Sequence, residues 1–292
     1  MRLGLRARHY AVSKPDCQCI FAASSGATGA YNPALQAIGP PPQEPTLSSN
    51  LLRSTALVGQ MTLVSRILGF VRDVIVARAF GAGMAADAFF VAFKIPNLFR
   101  RLFAEGAFSQ AFVPVLSECR EKDGEEAVRR LVDAAAGTLA AVVLGVVTLG
   151  VIAAPIFVLL FAPGFVDQRD KLELSASLLR VTFPYLLFIS LSGLAGSVSN
   201  IYGRFGIPAL SPVMLNITLI IGAVWLAPHL EEPVMGLAIG VIAGGVTQLA
   251  MQYAGLWKLG FRPRPVIAFA DAGVRKILRL MGPAIFGVSV AQ

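Results

Sequence analysis

The sequence predicts an all-α integral membrane protein, a polytopic helical bundle with six complete transmembrane helices and the start of a seventh. The first observation is composition, because 55% of the 292 residues are hydrophobic and 14% are charged, against roughly 45–50% and 25% in soluble domains. The second is a mean hydropathy of +0.69, together with several uncharged runs. Each of these runs is longer than about 20 residues, the length that a helix needs to cross a bilayer. The third is that Lys and Arg concentrate in alternate links between these runs, as the positive-inside rule describes.

The first two predicted helices are unusual because they carry charges in their interiors. They span 51–79 and 85–103, and the Gly81-Ala82-Gly83 segment separates them. The internal charges are Arg66, Arg72 and Asp73 in the first helix, and Asp87, Lys94, Arg100 and Arg101 in the second.

The next four predicted helices coincide with runs that contain no Asp, Glu, Lys or Arg. These runs are 134–166, 181–203, 205–229 and 234–257. The last of them carries Gly236, Gly240 and Gly244 at four-residue spacing, a stripe that predicts close packing against a neighbouring helix.

A seventh helix begins near Arg279, but too few residues follow it before Gln292 to cross a bilayer. We therefore expect the chain to stop inside a span. The predicted organisation is a poorly structured extension over 1–49, a six-helix lobe over 50–272 and the start of a second lobe over 273–292.

The distribution of cations predicts the orientation. Eighteen of the 25 Lys and Arg residues fall in the N-terminal segment and in the links after the second, fourth and sixth helices, whereas three fall in the intervening links. Because cations accumulate on cytoplasmic loops, the N-terminus is predicted to be cytoplasmic. Membrane topology thus explains most of the net charge of +8 and the pI of 9.8 without a nucleic-acid partner.

The first 49 residues have a different composition, with three consecutive prolines at 40–42 and no sustained apolar period. Cys17, Cys19 and Cys119 fall on the predicted cytoplasmic side, so disulfides are not expected. A lone C-x-C pair without further ligands is a weak metal motif, and we expect no metal site.

Charged groups within a span are the strongest pointer to function, since each costs about 2.5–3.5 kcal/mol on insertion scales unless it finds a partner or a cavity. Arg66 and Asp73 lie on nearly one helix face, where they can form a buried ion pair that only orients helices. The alternative is a cationic, water-filled cavity in which Arg66 and Arg72 bind an anionic group. Arg100 extends that theme, although its position at the end of a span is better explained by a cytoplasmic anchor.

Catalytic chemistry finds little support in the sequence. The two histidines are His9, in the N-terminal extension, and His229, at a span end. A phosphate-binding Gly-rich loop with its Lys is also missing from the sequence. We therefore expect neither an enzyme nor a cofactor.

From Asn50 to Gln292 the sequence resembles the MurJ (MviN) family of lipid II flippases, within the superfamily of multidrug, oligosaccharidyl-lipid and polysaccharide exporters. The most specific stretches are SRILGFVRDVIVARAFGAG at 65–83, ADAFFVAFKIPNLFRR at 86–101 and FAEGAFSQAFVP at 103–114. Shorter similarities continue at 162–165, 182–185, 200–205 and 281–284.

The resemblance implies an inner-membrane transporter that moves lipid II, the undecaprenyl-pyrophosphate-linked disaccharide-pentapeptide, from the cytoplasmic to the periplasmic leaflet for peptidoglycan synthesis. It implies a fold of fourteen helices, with two six-helix lobes around a cationic cavity and two final helices that form a lipid groove. Family cavity arginines correspond to Arg66, Arg72 and Arg100, with Asp73 beside them.

On this resemblance the chain covers the first lobe, and the extension at 1–49 has no counterpart in the family. Because alternating access requires two lobes, we expect transport to need a second lobe or a full-length chain, together with lipid II and membrane lipids.

Three alternatives remain open at this stage. The chain can export another lipid-linked glycan or a drug, or it can be a membrane scaffold that transports nothing. An integral-membrane enzyme acting on glycan lipids is disfavoured by the lack of an acidic or histidine-bearing catalytic loop.

Overall fold

The computed structural model describes residues 49–81, 83–101 and 106–290, and within these ranges every regular secondary-structure element is a helix. The predicted extension at 1–49 lies outside the described residues, except for Ser49. The helices are α1 (Ser49–Phe80), α2 (Met84–Arg100), α3 (Ala107–Ile152), α4 (Ala154–Phe161), α5 (Arg169–Thr182), α6 (Tyr185–Ile201), α7 (Gly206–Ile221), α8 (Met235–Lys258) and α9 (Ala272–Val290).

Four helical stretches of the described chain are long and apolar enough to cross a membrane: Ala107–Ile152, Arg169–Ile201, Gly206–His229 and Met235–Lys258. They contain all or most of the third to sixth predicted spans. By contrast, α1 carries internal charges and α2 has only 17 residues. The all-α membrane fold is thus confirmed, while the count of six complete spans stays a prediction.

Two helices begin well before the predicted membrane boundaries. α3 starts at Ala107 and runs through a charged segment, interrupted at Gly124, where φ is 80° and ψ is −179°. α5 starts at Arg169 and is followed by α6 after a short break at Phe183 and Pro184. Uncharged runs mark only the part of a helix that hydrocarbon contacts, so they underestimate helices that extend into water.

The core lies around α6, which packs against α3 and α8, while α2 packs on α5 and α1 packs on α7. Phe112, Phe183 and Tyr185 are among the largest side chains that are fully buried there. Gly150 of α3 allows the Phe183 ring to approach, because a Cβ at that position would lie 2.3 Å from the ring.

The glycine stripe of α8 packs directly against α7 and the helical turn that follows it, as predicted. A Cβ at Gly236 would lie 2.7 Å from the Gly222 carbonyl oxygen, and a Cβ at Gly240 would lie 2.9 Å from the Thr218 carbonyl oxygen. Both distances are shorter than any side chain tolerates, so the two backbones are in contact at this point.

The segment between α8 and α9 runs along α3 in an extended conformation. The amides of Arg264, Val266 and Ala268 donate to Asp133 Oδ1, the Asp133 carbonyl and Thr138 Oγ1, at 2.8, 3.0 and 3.2 Å. The intervening residues 263 and 265 are prolines, which have no N–H and favour an extended backbone in the residue before them.

α9 begins after Asp271 and packs on α3. Asp271 Oδ1 accepts the amides of Gly273 and Val274 at 2.9 and 3.0 Å, as an N-cap does. Val274 and Ile277 are buried one turn apart, and both lie against the α3 surface. The assignment of 273–292 to a second lobe stays a prediction.

A charged cluster on the predicted cytoplasmic side joins α3 to α9. Glu118 accepts a hydrogen bond from Lys122 Nζ at 2.8 Å and pairs with Lys276 of α9. These two lysines lower the pKa of Glu118 from 4.5 to about 2, and the hydrogen bond from Lys122 has the larger effect.

We expect the attachment of α9 to be independent of pH down to about pH 4.5 and to weaken progressively below it. Because the pKa of Glu118 is lower in the folded protein, its contribution is present above pH 4.5 and is lost as the pH falls towards 2. Hydrogen exchange of the first turn of α9, corrected for intrinsic rates, should therefore be constant from pH 7 to about 4.5 and accelerate below it.

The Glu118→Gln variant should exchange faster than wild type at pH 7 and lose this dependence. Glu121→Gln is the matched control, since Glu121 is exposed and forms no ion pair with any described residue. Equal exchange in the Glu118 and Glu121 variants would show that Glu118 does not hold α9.

Candidate functional site

Arg72 of α1 is held in a network that reaches α7. Its Nε and Nη2 donate to Asp73 Oδ1 at 3.0 and 2.6 Å, and its Nη1 donates to Asn216 Oδ1 at 2.9 Å. Asn216 is buried and donates in turn from Nδ2 to the Ser65 carbonyl at 3.1 Å. The arginine side chain remains 26% exposed, so the network orients the guanidinium without enclosing it.

The alternative in which Arg66 pairs with Asp73 is not what the structure shows. Asp73 pairs with Arg72, and Arg66 is exposed and has no hydrogen bond or ion pair to any described residue. Residues seven apart share a helix face but are separated by about 10 Å along the axis. Arg72 is adjacent to Asp73 in the chain, so its side chain reaches the Asp73 carboxylate over a much shorter distance than that of Arg66 would.

Arg100 lies in the last turn of α2, where its Nε donates to Asn97 Oδ1 at 2.9 Å. Pro96 precedes this pair and is buried within the helix. Asn97 therefore fixes the guanidinium of Arg100 at the helix end. From there Arg100 contributes to the wall of a cavity inside the bundle.

This cavity, called here the polar cavity, has a volume of about 550 Å³ and lies among α2, α3, α6, α7 and α8. Its polar and charged lining residues are Arg100, Ser109, Tyr185, Ser192, Ser197, Asn200, Ser211, Gln248 and Gln252. Pro208 and Pro212 of α7 also line it. Because Pro212 has no N–H, the helical hydrogen bond to the carbonyl of residue 208 is missing on this wall.

Several polar atoms of the polar cavity lack partners among the described residues. They are Ser192 Oγ, Gln248 Oε1 and Gln252 Oε1. All three side chains are only 2% exposed. Gln248 does donate from Nε2 to the Ser211 carbonyl at 2.7 Å.

The four predicted residues make different contacts in the structure. Arg72 and Asp73 form one site on α1 with Asn216, Arg66 is exposed on the same helix, and Arg100 belongs to the polar cavity. Their role in binding stays a prediction. Three arginines without a matching set of carboxylates suit an anionic group. In the part of the chain that the structure describes, no cluster of His, Cys, Asp or Glu could hold a metal ion.

Sequence reasoning missed Asn216, Gln248 and Gln252, because it searched for charges inside spans. The four-residue spacing of the two glutamines was a usable signal, since it places both amides on one face of α8.

The sequence matches one protein family over most of its length. Residues 76–292 match the family model described as "Lipid II flippase MurJ". Arg100 lies in that match, whereas Arg66, Arg72 and Asp73 precede it.

Two relatives show the extent of the similarity. The chain is 48% identical to a probable lipid II flippase MurJ from Vibrio cholerae serotype O1, over 85% of this chain and 49% of that protein. It is 45% identical to a lipid II flippase MurJ from Burkholderia cenocepacia, over 83% and 48%. The chain thus spans about half the length of the curated relatives it matches.

A solved structure of lipid II flippase MurJ in an inward closed conformation superimposes with a TM-score of 0.66 at 28% identity. It covers 81% of this chain, which corresponds to 48% of that chain. The helical arrangement and the family match agree, and the chain belongs to the MurJ family of lipid II flippases.

Proposed function

We propose that the chain forms the first lobe of a flippase that moves lipid II, the undecaprenyl-pyrophosphate-linked peptidoglycan precursor, from the cytoplasmic to the periplasmic leaflet of the bacterial inner membrane. The observation that carries the proposal is the similarity to relatives named as lipid II flippases, at 48% and 45% identity. Since those relatives are about twice as long, the proposed transporter includes a second lobe, and its N-terminus is cytoplasmic.

In this proposal Arg66, Arg72 and Arg100 contact the pyrophosphate, and Asp73 positions Arg72. A guanidinium has five N–H donors, and three of those on Arg72 are used by Asp73 and Asn216. The two remaining N–H groups, one on each terminal nitrogen, have no partner among the described residues and can donate to phosphate oxygens. Arg66 contributes a second, exposed cation on the same helix.

Electrostatics favours an anionic substrate over a cationic one. Among the charged residues of the proposed site, three are arginines and one is an aspartate already paired with Arg72. Cations inside a membrane protein are costly when they have no anionic partner, so the pyrophosphate of a lipid-linked substrate stabilises them when it binds.

A chimera tests the function. Residues 47–292 are joined to the second half of the Vibrio cholerae relative and expressed in bacteria depleted of their own flippase. We expect growth to be restored and lipid II to become accessible at the outer leaflet. A chimera that reaches the membrane at the level of the intact relative, yet moves no lipid II, would contradict the proposal.

A further inference from the structure

The segment 262–270 between α8 and α9, called here the linker, is held in place along α3, although its charges alone predict an ordinary cytoplasmic loop. Its backbone is fixed to α3 by the amides of Arg264, Val266 and Ala268. It also lies so close to α3 that a Cβ on Gly137 would be 2.3 Å from the Val266 backbone. The linker is therefore an ordered part of the bundle surface with a defined position along α3.

The contacts with α3 place the linker at the predicted boundary of the hydrocarbon layer. Asp133, which accepts the Arg264 amide, is the last charged residue before the uncharged run 134–166. Thr138, which accepts the Ala268 amide, lies five residues further along α3. At about 1.5 Å per helical residue, the linker moves up to about 7.5 Å past the boundary between these two contacts.

The chain then turns back towards the charged part of α3. A Cβ on Gly273 would lie 2.6 Å from Leu131 Cδ1, and Asp271 lines a groove together with Ala127. Both of these α3 residues precede the uncharged run. The linker thus enters the boundary region and leaves it on the same side, and residues 266–269 form its deepest part.

The exposed side chains of the linker change in character with depth. Val266, Ile267 and Phe269 are 55%, 65% and 50% exposed, so three large apolar groups project from the deepest part. Arg262 and Arg264 are exposed nearer to the boundary, and their side chains have no partner among the described residues. This order matches a phospholipid interface, in which acyl chains lie beneath a layer of phosphates.

The backbone of the linker is also suited to an apolar neighbour. Successive N–H groups of an extended chain point to opposite sides, and those of residues 264, 266 and 268 point towards α3. On the outer edge, residues 263 and 265 are prolines and have no N–H. Fewer donors are therefore left unpaired there, which lowers the cost of placing this edge against lipid.

We propose that the linker is an interfacial anchor, in which Val266, Ile267 and Phe269 insert beneath the phospholipid head groups and Arg262 and Arg264 contact lipid phosphates. The partner is the phospholipid of the leaflet on the side where α8 ends, which is the predicted cytoplasmic one. A soluble protein is disfavoured as the partner, because the contacts with α3 place the apolar side chains past the hydrocarbon boundary. The inference depends on the membrane fold and not on the transported substrate.

The immersion depth of a spin label at position 267 tests the anchor. Ile267→Cys is made in a chain whose other cysteines, Cys17, Cys19 and Cys119, are replaced by serine, and the 292-residue protein is placed in phospholipid nanodiscs. Collisions of the label with oxygen, which concentrates in lipid, are compared with collisions with a water-soluble nickel chelate. We expect oxygen to dominate, at a depth of roughly 5–10 Å below the head groups.

Two further labels serve as matched controls. Glu121→Cys places the label on the charged part of α3, where the side chain is exposed, and the nickel chelate should dominate there. Leu149→Cys places it on the same helix at an exposed apolar position within the uncharged run, and oxygen should dominate strongly. Because all three labelled side chains are exposed, the labelled proteins should unfold at the temperature of the unlabelled protein.

Neutralising the arginines tests the contact with phosphates. Attraction to a lipid surface contributes up to about fivefold in affinity for each basic residue. In the Arg262→Gln/Arg264→Gln variant the ratio of oxygen to nickel-chelate collisions at position 267 should therefore fall roughly two- to fivefold. The Arg204→Gln/Arg275→Gln variant removes the same charge from two exposed positions outside the linker and should leave that ratio unchanged.

The contrary outcomes are distinct. If the label at 267 meets the nickel chelate as often as the label at 121 does, the linker faces water and the anchor is overturned. If neither reagent reaches it, a protein surface such as a second copy of the chain covers the apolar side chains, which also overturns the anchor. An unchanged ratio in the Arg262→Gln/Arg264→Gln variant would overturn the assignment of these arginines to lipid phosphates.

Discussion

Arg66→Ala and Arg72→Ala are each expected to abolish the ability of the chimeric flippase to support growth. A charge-assisted hydrogen bond contributes about 1.5–3 kcal/mol, so losing a bidentate arginine should weaken pyrophosphate binding at least about tenfold. Growth of depleted cells and outer-leaflet accessibility of lipid II are the measurements, with membrane levels of each variant determined in parallel. Arg169→Ala is the control, because Arg169 is an exposed arginine outside the proposed site.

The two variants should differ in stability although they agree in activity. Arg66 is exposed and has no partner in the described structure, so Arg66→Ala should melt like wild type. Arg72→Ala removes hydrogen bonds that join α1 to the buried Asn216 and should lower the free energy of unfolding by about 1–3 kcal/mol. Normal growth of both variants would refute the site assignment. If Arg72→Ala alone had low activity, Arg66 would have no role in binding and Arg72 would have only a structural one.

Replacing Gly240 by leucine is expected to prevent normal packing of α7 on α8. A Cβ at this position would lie 2.9 Å from the Thr218 carbonyl oxygen and 3.3 Å from the Leu219 Cα. Both atoms belong to the backbone, so the conflict cannot be relieved by rotating a side chain. Overpacking a well-packed interior typically costs about 1–3 kcal/mol, and a leucine against backbone should reach the upper end of that range.

The matched control is Gly145→Leu on α3, where a Cβ would meet nothing within 4 Å. Both variants make the same chemical change in an apolar helix, so thermal unfolding in detergent isolates the effect of the neighbour. We expect the Gly240 variant to unfold at lower temperature and to accumulate poorly in the membrane. Equal unfolding temperatures for the two variants would show that α7 and α8 are further apart than the structure indicates.

The predictable parts of the fold are those in which a sequence pattern, such as an uncharged run or a glycine stripe, is compatible with only one structure. An uncharged run such as 234–257 has few alternatives to a membrane span, and α8 occupies nearly that range. The stripe that includes Gly236 and Gly240 predicted a close helix contact, because small residues have little other use at such spacing.

The site was less predictable because side-chain pairing depends on reach and on neighbours. Helical periodicity placed Arg66 and Asp73 on one face but gave no information on the shorter path from Arg72. The polar cavity requires residues from five helices, whose proximity only the folded chain defines. Neutral residues such as Gln252 give no charge signal in a sequence, so a search for charges inside spans does not find them.

The extended segment that precedes α9 also determines how far that helix can travel. Its backbone is tied to α3 at Arg264, Val266 and Ala268, so Ala268 is the last tethered residue before α9 begins at Ala272. Four peptide steps extend to at most ~14 Å. The start of α9 must therefore stay within this distance of Ala268, and any movement of α9 takes place about a point fixed on α3.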